Sequence, residues 1–238
     1  MGSGSIIWNF NGSIGYYEGE LDSTNTIPHG YGRIDYSGGR LKHYRYEGGF
    51  ELGEKNGQGK LTGPGYEHEG TFVNDLPEHH GVRNYIDGRI YDGWWKAGLR
   101  EGTGKQTWTR TDWVHSGEWK GDKISGKGTW HSETRGETYW SDNWTDAKIN
   151  GVGHARYRDG SRYEGKFVGR YKEDDDGFLI YANGEDKYHG AFKNDLFHGR
   201  GTLTKGGYKY KGTFHKGKKT GNFTVTDLAT GKSKTRKY

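Results

Sequence analysis

YDGWWKAGLREGTGKQTW, residues 91–108, is the stretch that decides the fold. In an extended chain successive side chains point to opposite faces. Tyr91, Gly93 and Trp95 then share one face, and Asp92, Trp94 and Lys96 share the other. Seven and nine positions beyond Trp95 stand Gly102 and Gly104, where a second alternating run begins. Two short alternating runs joined by a loop read as a β-hairpin. No stretch of the chain carries a 3.6-residue period, so almost no helix is expected.

The unit recurs as YEGGFELGEKNGQGKL from Tyr46, HSGEWKGDKISGKGTW from His115 and YEGKFVGRYKEDDDGFLIY from Tyr163. YHGAFKNDLFHGRGTL from Tyr188 and YKGTFHKGKKTGNF from Tyr210 continue it. Its first glycine is Gly19, Gly48, Gly70, Gly93, Gly117, Gly165, Gly190 or Gly212, and Asp142 takes that place in Trp140-Ser-Asp-Asn-Trp144. The spacing of 22–29 residues gives nine hairpin units over residues 17–226. Residues 1–16 read as the second half of one more hairpin, an N-terminal cap, and residues 227–238 as a basic C-terminal tail. Leu21 replaces a second aromatic, Asp175 replaces the first glycine of its pair, and the acidic run 173–176 enlarges one loop. Asp87-Gly88, Asp159-Gly160 and Asn183-Gly184 suit the positive φ of tight hairpin turns.

These nine copies, each with its Gly-x-Gly echo, resemble the MORN (membrane occupation and recognition nexus) repeat family over nearly the whole chain. The resemblance implies an interaction scaffold at cytoskeletal, ciliary or membrane-junction structures. The expected fold is all-β: an elongated, single-layer antiparallel sheet of sequential hairpins, a linear array in which each unit touches its neighbours.

Composition agrees with such an array. Of 238 residues 44 are Gly, aromatics reach 15%, and Leu, Ile, Val and Phe together make up about 15%. The aliphatic content is too low for the buried parallel strands of an α/β enzyme. The abundant aromatics and a net charge of only +5 argue against disorder. Glycines between rings give the packing its reason. A Tyr-Gly-Trp face lets one hairpin's ring lie over the bare backbone of the next. No Cys is present, so disulfides, thiolate metal sites and cysteine nucleophiles are excluded. No G-x-S-x-G elbow occurs, and the Gly-x-Gly pairs do not extend to a dinucleotide fingerprint. His79-His80 with Glu78 could hold a stray metal, but adjacent strand residues point to opposite faces, and the acidic run 173–176 lacks the spaced ligands and glycine of a dedicated calcium loop. A non-catalytic protein without cofactor, metal or small-molecule substrate is expected.

Self-packing should cover part of the aromatic face and leave a trough for a partner segment. Tyr91, Trp95, Trp119, Trp130, Trp144, Tyr163, Phe167, Tyr188 and Phe192 are its candidate lining, although the same rings also serve simply as repeat packing. Trp94, off the repeat pattern, should project from the polar face as an outer contact. Gly48, Gly70, Gly93, Gly117, Gly165, Gly190 and Gly212 are the structural glycines. Residues 201–238 hold ten Lys/Arg against one acid, Asp227, while the remainder is net acidic. Lys232, Lys234, Arg236 and Lys237 are therefore candidates for weak anionic-lipid contact. A ring-rich trough in a net-acidic region is not a nucleic-acid funnel. The expected partners are other proteins of a multi-subunit assembly, in a cytoplasmic, cytoskeletal or ciliary setting such as an axoneme or a radial-spoke-like complex. A secreted or membrane-spanning protein is not expected, because no signal-like opening or long apolar run is present.

Overall fold

The computed structural model describes residues 2–238, so Met1 of the expected cap lies outside the described residues. The chain is a succession of antiparallel strands, and a three-residue 3-10 turn at Gly39–Leu41 is the one helical element among the described residues. The residues form two compact units. One runs to Asp112 and includes Glu118–Asp122; the other comprises Trp113–Gly117 and Lys123–Tyr238. Within each, sequence neighbours pair as hairpins in a single antiparallel layer.

The registers show why the repeat needs its glycines. In the first unit Gly4, Gly19, Gly32, Gly48, Gly59, Gly70, Gly81, Gly93 and Gly104 sit directly opposite one another on successive strands. They form a stripe of bare backbone running across the strands. The ring two residues before each hairpin's first glycine lies down on this stripe. A Cβ on Gly59 would come within 2.2 Å of the Tyr46 hydroxyl, and one on Gly104 within 2.3 Å of the Tyr91 hydroxyl. Each ring is fixed by its own strand. Tyr46 Oη donates to the Gly49 carbonyl at 3.1 Å, Tyr91 Oη to Trp94 at 3.0 Å and Tyr188 Oη to Ala191 at 2.9 Å.

The flattened rings then meet edge to face. In the first unit the chain of contacts runs Tyr17–Phe50–Tyr46–Phe72–His68–Trp95–Tyr91–Trp119, with centroids 5.0–5.3 Å apart. In the second it runs Phe167–Tyr163–Phe192–Tyr188–Phe214–Phe223 at 5.0–5.2 Å. Edge-to-face pairs add about 0.5–1.5 kcal/mol each beyond area burial. A single layer thus builds a core from rings and glycines without a second sheet.

Within Gly-x-Gly the two glycines do different work. The second belongs to the stripe. The first lies in the left-handed region, at φ +87° for Gly57 and +75° for Gly102, where the ladder register shifts between Gly48 and Phe50 or between Gly93 and Trp95. This is a bulge, in which one strand carries an extra residue. His79 occupies the bulge position at φ +59° in the strand Leu76–Tyr85.

Several sequence expectations need correction. The second strand begins before Gly-x-Gly, at Glu54 rather than Gly57 and at Leu99 rather than Gly102. The tight two-residue turns lie inside the repeat, at Leu52-Gly53, Ala97-Gly98 and Lys216-Gly217, with both residues at positive φ. The expected turns Asp87-Gly88, Asp159-Gly160 and Asn183-Gly184 lie in longer loops, where only the glycine has positive φ. The expected tail is largely a strand: Ser233–Lys237 pairs with Lys218–Asp227. Asp142 is not in the stripe, because a bulge between Trp140 and Trp144 places Ser141 opposite Gly128 instead. In the acidic run, Asp174 Oδ2 accepts from the Lys166 amide, Glu173 Oε2 accepts from the Asn194 amide, and Asp176 pairs with His189 at 2.8 Å. Asp174 and Glu173 thus cap backbone amides.

Candidate functional site

Eight of the nine rings expected to line an open trough are the core itself. Tyr91, Trp95, Trp119, Trp144, Tyr163, Phe167, Tyr188 and Phe192 are each at most 6% exposed. The ring ladder closes over them, and Trp130 alone of the nine is partly exposed. The indoles of Trp95, Trp119 and Trp144 are tied down further, donating to the carbonyls of Gly81, Gly104 and Gly128. Gly48, Gly70, Gly93, Gly117, Gly165 and Gly190 lie beneath or beside such rings. At Gly212 the covering ring is Phe223, whose Cδ1 would be 2.7 Å from an added Cβ. Trp94 is 47% exposed, and its ring meets His80 across the strands at 6.3 Å.

Cations reinforce the buried face. Lys55, Arg100 and Lys172 each reach the aspartate in the next hairpin's turn: Asp75 at 2.5 Å, Asp122 at 2.8 Å and Asp195 at 3.0 Å. The same carboxylate accepts the cation's own backbone amide. Each cation also lies over rings, Lys55 over Tyr36 and Tyr46, Arg100 over Trp119, Lys172 over Tyr157 and Tyr163. Arg83, which breaks the apolar pattern of its strand, sits between Tyr66 and Trp95 at 4.4 and 4.1 Å. Burial pushes the Tyr17 phenol up to about 12 and raises Tyr46, Tyr91 and Tyr188 as well, so these hydroxyls stay protonated donors. Burial, with Arg83 nearby, pushes His68 down to about 3, and burial pushes His115 down to about 4. Both stand in ring positions as neutral imidazoles.

The ladder loosens in one place. His115 offers a smaller ring than the Tyr it replaces, and Ser141 puts a Cβ where the stripe would have glycine. Tyr139, two residues before Ser141, does not bond a carbonyl three residues on. Its hydroxyl donates to Glu137 at 3.3 Å, and its ring leans on Tyr157 at 6.2 Å. Ring separations widen to 6.0 Å for His115–Trp144 and 6.3 Å for Trp130–Trp144. A groove of about 540 Å³ opens there, lined among others by Trp113, Trp130, Tyr139, Trp144, Ile149 and Val168. Val168 and Tyr171, paired across their turn and 60% and 47% exposed, line its turn end from the strand face opposite Phe167. Lys148 and Arg170 are its charged lining residues.

Trp130 and Trp144 are the groove residues legible from the repeat as ring positions, and Phe167 lies in its floor. Trp113 stands outside the repeat's aromatic positions. Tyr139, Ile149, Val168 and Tyr171 were missed. Trp140 looks like the repeat's first aromatic, yet the bulge turns it to the outer face, where it stacks on His154 at 5.1 Å. The presence of Ser141 where a glycine was needed was the available signal. Among the described residues no group of three or more His, Asp and Glu side chains could hold a metal, and no helix is long and apolar enough to cross a membrane.

A sheet of sequential hairpins, with a glycine stripe roofed by its own rings, is the fold of a repeat array. The MORN repeat matches residues 46–66, 68–88, 91–111, 115–137, 143–162, 188–207 and 210–222, more than half of the chain. The chain belongs to the MORN repeat family. The hairpins around Gly19 and Gly165, with Leu21 and the enlarged acidic loop, fall outside the matched segments. Alsin from Homo sapiens is 29% identical over 164 residues, covering 62% of this chain and 9% of Alsin; Alsin from Rattus norvegicus is 28% identical over 166 residues, covering 56% and 10%. The chain thus spans about a tenth of the length of these relatives. Among solved structures, the TCP domain of Drosophila melanogaster SAS-4, in complex with a proline-rich motif of Ana2, aligns at 14% identity and a TM-score of 0.40, over 76% of this chain and 84% of that one.

Proposed function

We propose that this chain is a non-catalytic scaffold that holds a protein partner within a larger assembly through the groove between Trp113 and Tyr171. The carrying observation is the contrast in packing. The rings of the two ladders are each at most 4% exposed, while the tract broken by His115 and Ser141 gathers half-buried Trp113, Trp130 and Tyr139 into one groove beside exposed Val168 and Tyr171. Exposed apolar tracts with a polar rim are characteristic of interaction sites. MORN repeats are protein- or lipid-interaction modules. A cytoskeletal or ciliary assembly is the proposed setting, on the family resemblance alone.

The test is affinity purification from the native source with the whole chain and with a Val168→Asp/Tyr171→Ala variant, read by mass spectrometry. Both residues are exposed, so the variant should fold. Proteins captured by the first and lost with the second support the groove. Equal capture by both removes it. Attachment to anionic membranes is the second reading, motivated by Lys232, Lys234, Arg236 and Lys237. The strand geometry weakens it, because alternation puts Lys234 and Arg236 on one face and Lys237 on the other. Vesicle flotation with those four residues changed to Ser decides it: binding that disappears with them supports the tether.

A further inference from the structure

We infer that the groove takes an acidic segment: an extended peptide whose large apolar side chain enters the ring-lined floor and whose carboxylates meet cations at both ends. This deepens the scaffold reading and rests on it. Three observations carry it, all within the second unit.

The first is the charge of the lining. Its charged members are Lys148 and Arg170; no Asp or Glu lines it. Both cations are exposed. Their side chains enter no salt bridge within 4.0 Å among the described residues. This differs from Lys55, Arg100 and Lys172, whose charges are already met by turn aspartates. Of the nearby carboxylates, Glu133 is 2.9 Å from His131 and Asp146 is 3.3 Å from Lys123, while Glu137 accepts from the Tyr139 hydroxyl of the lining.

The second is where the cations stand. Lys148 begins the strand Lys148–Arg156 directly after the turn Asp146-Ala147, and Arg170 follows the strand Arg162–Gly169. Both mark the turn end of the groove. Arg135 lies at the other end, in the loop between Lys123–Ser132 and Glu137–Thr145, with its guanidinium 5.9 Å from the Trp113 ring. The strand Glu137–Thr145 joins the two ends. At ~3.3 Å per residue it spans roughly 26 Å, the length of about eight extended residues.

The third is the floor. Trp113, Trp130 and Tyr139 lie towards the Arg135 end, and Trp144, Ile149 and Phe167 towards the Lys148 end. The apolar surface is therefore central and the positive charge terminal. A basic or neutral segment would fill the floor but leave those three cations unmet, so the selection acts through the segment's ends.

The test uses a displayed library of random ten-residue peptides, selected on the whole chain and, separately, on a Lys148→Glu/Arg170→Glu variant. Both substitutions are on exposed residues and are expected to fold; circular dichroism and urea unfolding check this. Peptides selected on the unmodified chain should combine one or two large apolar residues with at least two acids. Their synthetic versions should bind about tenfold more weakly to the charge-reversed variant, and weaken with added salt. The variant should select basic peptides instead. Selected peptides without acidic enrichment, or with unchanged affinity for the variant, would overturn the inference while leaving the groove as a docking site. Peptides whose binding survives Val168→Asp/Tyr171→Ala, or no selection at all, would remove the groove reading too.

Discussion

Replacing Gly104 with Ala should unfold the ring ladder locally, and the cost can be worked from the geometry. Gly104 has ordinary extended backbone, so alanine meets no conformational barrier there. Its methyl group would stand 2.3 Å from the Tyr91 hydroxyl, 2.5 Å from Cζ and 2.6 Å from Cε2. The ring must lift off the stripe. Lifting breaks the 3.0 Å hydrogen bond from Tyr91 to the Trp94 carbonyl and disturbs the edge contacts with Trp95 and Trp119 at 5.1 and 5.2 Å. Overpacking costs about 1–3 kcal/mol, and the lost hydrogen bond about 1. A destabilisation of about 2–4 kcal/mol is expected. The control is the other glycine of the pair. Gly102 has φ +75°, and its nearest neighbour would be Trp94 Cβ at 3.5 Å. Gly102→Asn should therefore cost under ~1 kcal/mol, since Asn tolerates left-handed backbone. Urea unfolding followed by tryptophan fluorescence compares the two. Wild-type stability for Gly104→Ala, or a larger loss for Gly102→Asn, would refute the division of labour between bulge glycine and stripe glycine.

The buried histidines make the fold acid-sensitive. His68 and His115 resist protonation when folded, at about 3 and 4, but protonate near 6.5 when unfolded. The unfolded state then binds more protons below pH 6.5, so stability falls as pH drops through that window. At pH 5 the loss is about 2 kcal/mol per histidine. Thermal melts at pH 7 and pH 5 should show it, and His68→Tyr should remove about half; a pH-independent melting temperature contradicts the burial. Asp75→Ala leaves the Lys55 ammonium, whose side chain is 5% exposed, without its carboxylate. A loss of about 3–5 kcal/mol is expected in chemical unfolding, against much less for Lys55→Met with Asp75→Leu together. Ser141→Gly should let Tyr139 settle towards the stripe and reduce groove binding, while removing the hydroxyl that donates to the Val152 carbonyl at 2.8 Å and accepts from the Asn143 amide at 3.0 Å; stronger binding of the selected acidic peptide by this variant would show that Ser141 does not open the groove.

The hairpin repeat was legible because its signal is periodic. Alternation fixes faces, and nine copies of Tyr-x-Gly-x-aromatic average out local exceptions such as Leu21. The packing of a ring over bare backbone was legible too, since Gly93 shares a face with Tyr91 and Trp95. The bulges were not. In Gly-x-Gly both glycines look alike, and only the register reveals that Gly57 and Gly102 take positive φ while Gly59 and Gly104 take a ring. The strand starts were displaced for the same reason. The site was read less well. An aromatic face suggests an open trough, but edge-to-face contacts among neighbouring rings bury Trp95, Trp119 and Tyr163 without any covering layer. The actual opening depends on one extra residue near Ser141, which moves Trp140 outward and brings Tyr139 inward. A local change in register alters which ring faces the groove, and a one-letter pattern does not record it.

The most direct measurement is a nitrogen-15 spectrum of the tryptophan indoles in the whole chain, assigned by single Trp→Phe substitutions and titrated with a selected acidic peptide. The indole signals of Trp113 and Trp130 should move on binding, while those of Trp95 and Trp119, sealed in the ladder and bonded to Gly81 and Gly104, should stay in place. Shifts centred on Trp95 and Trp119, with Trp113 and Trp130 unmoved, would mean that the ladder is the docking surface after all.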